Sequence, residues 1–159
     1  DRWFNTGDML RDIGFGHCQF VDRLGDTYRW KSENVSTTEV ADVLGDFPGL
    51  LAITVYGVQV PGHEGRAGMA VVVMQSEAAF DPKAFFAFSA ERLPRYAAPV
   101  FVRVAPEPDM TGNYKLRKVD LQREGFDAPS ITDPVFVRLE SARAYVPLSP
   151  SALAQALGA

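Results

Sequence analysis

Two runs rich in β-branched residues, Leu51 to Val60 and Ala67 to Met74, stand on either side of the turn Pro61-Gly62-His63-Glu64-Gly65. Runs of this kind joined by a glycine-containing loop predict an antiparallel strand pair, and the rest of the chain must pack around it. Ser36-Thr37-Thr38-Glu39 is a capping-box sequence, followed by Val40, Val43, Leu44 and Phe47 on one helical face, with stop signals at Gly45 and Pro48. Asp81-Pro82 starts a second helix, which runs to about Leu93 and ends at Pro94. Its Phe80, Phe85, Phe86 and Phe88 read as core packing rather than a membrane anchor. Val100 to Val104 reads as a third strand of the same sheet. A polar turn at Asp109 to Tyr114 leads into a short helix over Lys115 to Arg123. Val135 to Leu139 and Ala144 to Val146 are two further strand candidates, and Ser149-Pro150 starts a terminal helix with Leu153 and Leu157 inward. This order predicts an α+β fold, a small mixed sheet covered by helices. Ahead of it, Trp3 to Val21 reads as a short β-meander including His17 to Val21, and Thr27 to Trp30 as a short strand after the Gly25-Asp26 turn.

Composition narrows the function classes. The 159 residues carry 16 Lys plus Arg against 20 Asp plus Glu, a formal charge of −4. That balance lacks the basic footprint that a nucleic-acid binder needs. A single cysteine, Cys18, excludes an internal disulfide framework, a four-cysteine zinc site and a CxxC redox pair. With His17 and His63 as the only histidines, an internal metal site is not expected. No apolar run approaches the roughly 20 residues of a membrane-spanning helix. With no initiating Met and no signal-peptide pattern, the chain reads as a piece of something longer.

Three constellations could carry chemistry, each with a plainer alternative. In Trp3-Phe4-Asn5-Thr6-Gly7-Asp8, the carboxylate of Asp8 could accept hydrogen bonds from a diol such as a ribose, or the segment is simply a β-turn. Arg23, Arg29 and Lys31, with Gly25 between them, could grip phosphates and bend, or form a twisted hairpin whose arginines pair with Asp22 and Asp26. In Thr111-Gly112-Asn113-Tyr114-Lys115-Leu116-Arg117-Lys118, Lys115 on a glycine loop could meet both a carboxylate and a phosphate, or belong to a solvated helix start. Lysines there oppose the helix macrodipole, a mild cost that hints at another use.

Taken in order, Phe4-Asn5-Thr6-Gly7-Asp8, Asp22-Arg23-Leu24-Gly25-Asp26 and Lys115 resemble the adenylate-forming superfamily. Glu33-Asn34-Val35-Ser36-Thr37-Thr38-Glu39-Val40 and Leu121-Gln122-Arg123-Glu124-Gly125-Phe126-Asp127 resemble, more narrowly, its fatty-acid transport protein and very-long-chain acyl-CoA synthetase branch. So do Gly25 to Trp30, Tyr56-Gly57-Val58 and Val60-Pro61-Gly62.

The resemblance implies that residues 1–22 end a large N-terminal adenylation domain, that 23–26 are a hinge, and that 27–159 are a C-terminal lid. It implies a ligase that uses ATP, coenzyme A and Mg²⁺ to activate a long- or very-long-chain fatty acid. The phosphate loop, Mg²⁺ ligand and acyl pocket would lie in the large domain, so this piece is expected to be inactive alone and to bind no cofactor. Asp8 and Arg23 match nucleotide-binding positions, Lys115 the catalytic lysine of adenylation, and Gly25 the hinge. Arg29, Lys31 and Ser32 fall on the coenzyme A side, and no metal ligand is assigned. Many relatives have glycine where this chain has Ser32, beside the pantetheine tunnel, and the expectation is that the backbone there suits serine. A cytoplasmic location is implied, with peripheral membrane association of the parent left open. Two other readings remain: the lid of an enzyme activating a sterol side-chain or aromatic acid, and a non-catalytic module binding phosphate or acidic lipid through Lys115, Arg117 and Lys118.

Overall fold

A computed structural model describes residues 8–23, 26–75, 79–106 and 118–158. The described elements run β1 (Asp8–Gly14), β2 (His17–Arg23), β3 (Thr27–Trp30), β4 (Glu33–Ser36), α1 (Thr37–Gly45), β5 (Leu50–Val58) and β6 (Ala67–Met74). They continue α2 (Pro82–Arg92), β7 (Phe101–Ala105), α3 (Lys118–Glu124), β8 (Val135–Leu139), β9 (Ala144–Pro147) and α4 (Pro150–Leu157). A five-stranded sheet in the order β5-β6-β7-β8-β9 forms the centre. Its strands are antiparallel except β6 and β7, which run parallel and are connected through α2. A parallel pair requires such a crossover, which is why a helix separates these two strands in sequence. The fold is therefore α+β with a mixed sheet, and the two tail strands extend the same sheet.

The helix starts follow local chemistry. The Asp81 carboxylate accepts from the amides of Lys83 and Ala84, with Pro82 opening α2. Ser36 Oγ accepts from the Glu39 amide, and Ser149 Oγ from the Ala152 amide. Each such cap stabilises its helix by about 1 kcal/mol. Val40, Leu44 and Phe47 are buried as the helical face requires, with Val43 half-buried beside them. Phe85 and Phe86 are buried under α2, and Phe47 meets the Phe85 and Phe88 rings edge-on at 5.0 and 5.4 Å. The phenylalanine cluster is core.

Over the described residues the N-terminal portion is the antiparallel pair β1–β2, and the part of the expected β-meander at residues 3–7 lies outside the described set. Strand β4 was not foreseen, because Glu33-Asn34-Val35-Ser36 has one apolar residue and borrows its pairing from β3. Helix α3 is described from Lys118 to Glu124, and the expected helix start at Lys115 lies among residues 107–117, outside the described set. Among the described residues, no helix is long and apolar enough to cross a membrane.

Candidate functional site

The β3–β4 hairpin is seated on the sheet by its alternation. Tyr28 and Trp30 are buried on one side and Arg29 is exposed on the other. The seat exists because Gly57 and Gly68 face each other across β5 and β6. A Cβ at Gly57 would come within 2.6 Å of the Tyr28 Cβ, and one at Gly68 would collide with the Tyr28 hydroxyl. The hairpin is also tied down at its edge, where the Arg66 amide donates to the Arg29 carbonyl at 2.7 Å. Gly65, at φ +81°, lies so close to that carbonyl that a side chain there would strike it.

Lys31 and Ser32 make the two-residue turn, at φ 50° and 66°. Two successive left-handed residues give the type I′ turn that matches strand twist, and glycine or asparagine is its usual occupant. Ser32 therefore sits in a backbone region that serine adopts only at a cost, rather than in one that suits it. Lys31 borders a small pocket of about 170 Å³ with Trp30, His63, Glu64, Val100, Ala156 and Leu157. Its floor is aromatic, the Trp30 and His63 rings lying 5.8 Å apart, and His63 Nδ1–H donates to the Pro61 carbonyl. The β5–β6 turn and α4 contribute to this wall across long sequence separations, so no local pattern announced it.

At the base of the hairpin three elements meet. The Thr37 amide donates to the Asp26 carbonyl at 2.8 Å. Lys118 Nζ donates to the Asp26 carboxylate at 2.8 Å and to Thr37 Oγ1 at 2.9 Å. Thr37 is buried, whereas the Lys118 and Asp26 side chains keep 32% and 31% exposure. At that exposure the ion pair contributes under about 1 kcal/mol, and its directed hydrogen bonds matter more for position than for stability. Asp26 thus pairs with a lysine on α3 rather than with an arginine of its own hairpin, a long-range contact that spacing alone could not reveal.

Helix α3 is held at its other end as well. Arg103, buried on β7, donates to Glu124 at 2.6 Å and to Asp133 at 2.7 Å. Burial opposes the arginine's charge, but the two carboxylates outweigh it and hold the guanidinium pKa above its ordinary value. Leu121, between the two anchors, is buried in the core.

Of the residues singled out from sequence, Asp8 and Arg23 are brought together: they are direct cross-strand partners at the open end of the β1–β2 hairpin. Arg29, Lys31 and Ser32 share the β3–β4 hairpin and are exposed. Gly25 and Lys115 lie outside the described residues. Sequence reasoning passed over Asp26, Thr37 and His63 as site components. It counted Lys118 among three free cations, whereas its ammonium is engaged by Asp26 and Thr37. Among the described residues, no three His, Cys, Asp or Glu side chains are grouped to hold a metal ion.

Comparison with known proteins adds an independent line. Residues 39–115 match the family model described as AMP-binding enzyme C-terminal domain. The chain is 44% identical over 149 residues to a long-chain fatty acid transport protein 6 of Mus musculus, covering 94% of this chain and 24% of that protein. It is 46% identical over 147 residues to a medium/long-chain-fatty-acid–CoA ligase of Mycobacterium tuberculosis, covering 92% of this chain and 24% of that protein. Among solved structures, a Mycobacterium tuberculosis fatty acyl CoA synthetase superposes with a TM-score of 0.57 at 27% identity, over 77% of this chain and 24% of that one. The chain thus spans about a quarter of the length of the relatives it matches.

Proposed function

Since the chain belongs, through residues 39–115, to the AMP-binding enzyme C-terminal domain family, we propose that it is the hinge and lid of an AMP-forming ligase joining long- or very-long-chain fatty acids to coenzyme A. Residues 1–22 would close the large adenylation domain, 23–26 form the hinge and 27–159 the lid. The observation that carries this reading is the similarity of 44% and 46% extending over more than nine-tenths of the chain, to a fatty acid transport protein and to a fatty-acid–CoA ligase.

The reaction has two halves. A fatty carboxylate oxygen attacks the α-phosphorus of ATP, forming acyl-adenylate and expelling pyrophosphate. The coenzyme A thiol, losing its proton, then attacks the acyl carbon and expels AMP. Two anions must approach each other in the first half, so a cation between them is needed. Lys115 takes that role, bridging the carboxylate and the α-phosphate. Asp8 accepts from the ribose hydroxyls and Arg23 lies on the same side of the nucleotide, an assignment supported by their direct pairing across β1 and β2. Gly25 is the pivot, where a glycine absorbs a large dihedral change. Arg29, Lys31 and Ser32 serve the coenzyme A side. The Mg²⁺ that the family resemblance implies would be held by the large domain, and no metal ligand is assigned to this chain. The location is cytoplasmic, with the parent able to associate peripherally with membranes.

The binding-module alternative loses support, because one of its three cations, Lys118, is committed to Asp26 and Thr37. The test is Lys115→Ala in the complete synthetase. Fatty-acid-dependent ATP–pyrophosphate exchange is expected to fall by about a hundredfold or more, while thioester formation from supplied acyl-adenylate survives. Unchanged exchange would make Lys115 a surface charge and overturn the assignment.

A further inference from the structure

We propose that Lys118 is a positioning residue for the adenylation half-reaction, fixing the start of α3 to the point where the chain enters the lid. The inference rests on the function proposed above and concerns how that function is set up. Lys118 is the first described residue of α3 and lies three residues after Lys115. Asp26 lies one residue after Gly25. The Lys118 ammonium joins these two places directly, through Asp26 at 2.8 Å, and fastens both to the buried Thr37 at 2.9 Å.

Several features make this more than an incidental surface pair. Asp26 is held twice, its carbonyl by the Thr37 amide and its carboxylate by Lys118. The chain at Asp26 is thereby fixed to α1. Helix α3 cannot slide to relax the contact, because Glu124 is held by Arg103 at 2.6 Å and Leu121 is buried. A helix anchored at both ends holds Lys118 at a fixed place relative to Asp26 and Thr37. Lys115 precedes Lys118 by three positions, so chain connectivity alone keeps its Cα within about 11 Å of the anchored Lys118. Placement of a catalytic group matters steeply, an error of about 1 Å costing up to a hundredfold in rate.

The geometry also distinguishes Lys118 from a general stabiliser. Its pair is a third exposed on both sides, and such pairs contribute little to folding free energy. A rate effect without a matching stability effect is therefore the signature of positioning. Because the anchor acts on the segment used in adenylation, the thioester half should be spared.

The experiment uses the complete synthetase with Lys118→Met, which removes the ammonium and keeps the stem, Lys118→Arg, which keeps a cationic donor, and Asp26→Asn. Each is measured for ATP–pyrophosphate exchange (kcat and KM separately), for thioester formation from supplied acyl-adenylate, and for Tm. Lys118→Met should lower the exchange kcat by about tenfold, with KM for ATP, thioester formation and Tm near wild type. Lys118→Arg should recover most of the loss. Asp26→Asn should reduce the exchange kcat as well, and combined with Lys118→Met should cost no more than the worse single change. If Lys118→Met does not fold, Asp26→Asn is read by the same criteria. An unchanged exchange kcat, or a parallel fall in both half-reactions, overturns the proposal. Lys115→Ala, run alongside, separates the two failures: if it abolishes exchange while Lys118→Met does not, only the positioning role falls. If Lys115→Ala leaves exchange intact, the functional reading falls first.

Discussion

At the scale of single residues, the most informative positions are those whose chemistry and backbone disagree. Ser32 is exposed, yet its φ of 66° follows Lys31 at 50°, so the β3–β4 turn is built from two residues that do not favour the left-handed region. The hairpin forms regardless, because Tyr28 and Trp30 are buried on the sheet and the Arg66 amide holds the Arg29 carbonyl. Tertiary packing overrides the turn's own preference. Replacing Ser32 with glycine should relieve that conflict, raising stability by about 0.5–1 kcal/mol in a urea titration, somewhat offset by glycine's greater freedom when unfolded. A loss of stability would mean that the serine side chain contributes a compensating contact. The same variant bears on function, since glycine also removes the Cβ next to the proposed coenzyme A path. Thioester formation in the parent should stay the same or quicken.

At the scale of elements, legibility in the sequence tracked the range of the interactions. Helices α1, α2 and α4 were visible because Ser36, Asp81 and Ser149 cap them within three residues. Strands β5 and β6 were visible because their β-branched runs flank a short glycine turn. Strand β4 was not, because it owes its form to its partner β3. The candidate site divides the same way. Asp8, Arg23, Lys31 and Ser32 stood out by local motif, whereas the Asp26–Lys118–Thr37 cluster could only be found in three dimensions. The second anchor of α3 yields a direct prediction. Arg103 is buried against Glu124 and Asp133, and Arg103→Met would leave two carboxylates without their cation, the Asp133 side chain only 17% exposed. The expected cost is about 3 kcal/mol by denaturant unfolding, against under about 1.5 for Glu124→Gln, whose side chain is 35% exposed. Equal costs for the two would show that the ion cluster is not what holds α3.

At the scale of the whole molecule, three buried phenols set how the fold responds to alkali. Tyr28, Tyr56 and Tyr145 all lie in the core, and the Tyr145 hydroxyl donates to the Pro99 carbonyl at 2.6 Å. Among the described residues, neither the Tyr28 nor the Tyr56 hydroxyl has a hydrogen-bond partner. Burial, the largest influence on each, pushes all three pKa values above the ordinary tyrosine value; nearby Arg103 at Tyr56 and Arg138 at Tyr145 pull the other way without reversing it. The sign follows from proton counting. Above a pH of about 10 the unfolded chain releases its phenolic protons while the folded chain retains them, so the unfolded state binds fewer protons and stability falls as pH rises. The contribution is fully present below the unfolded pKa and is lost as pH climbs toward the folded values. Each fully linked tyrosine gives a slope of about 1.4 kcal/mol per pH unit, so three approach about 4 once the unfolded phenols are ionised. Urea midpoints measured from pH 8 to about 11.5 should therefore be level at first and then drop steeply beyond about 10. Tyr56→Phe should remove close to a third of that slope, and should cost little at neutral pH because it discards a buried hydroxyl without a described partner. A midpoint unchanged through pH 11 would mean that the folded phenols ionise as freely as unfolded ones, contrary to their burial beneath the β3–β4 hairpin, α2 and the sheet.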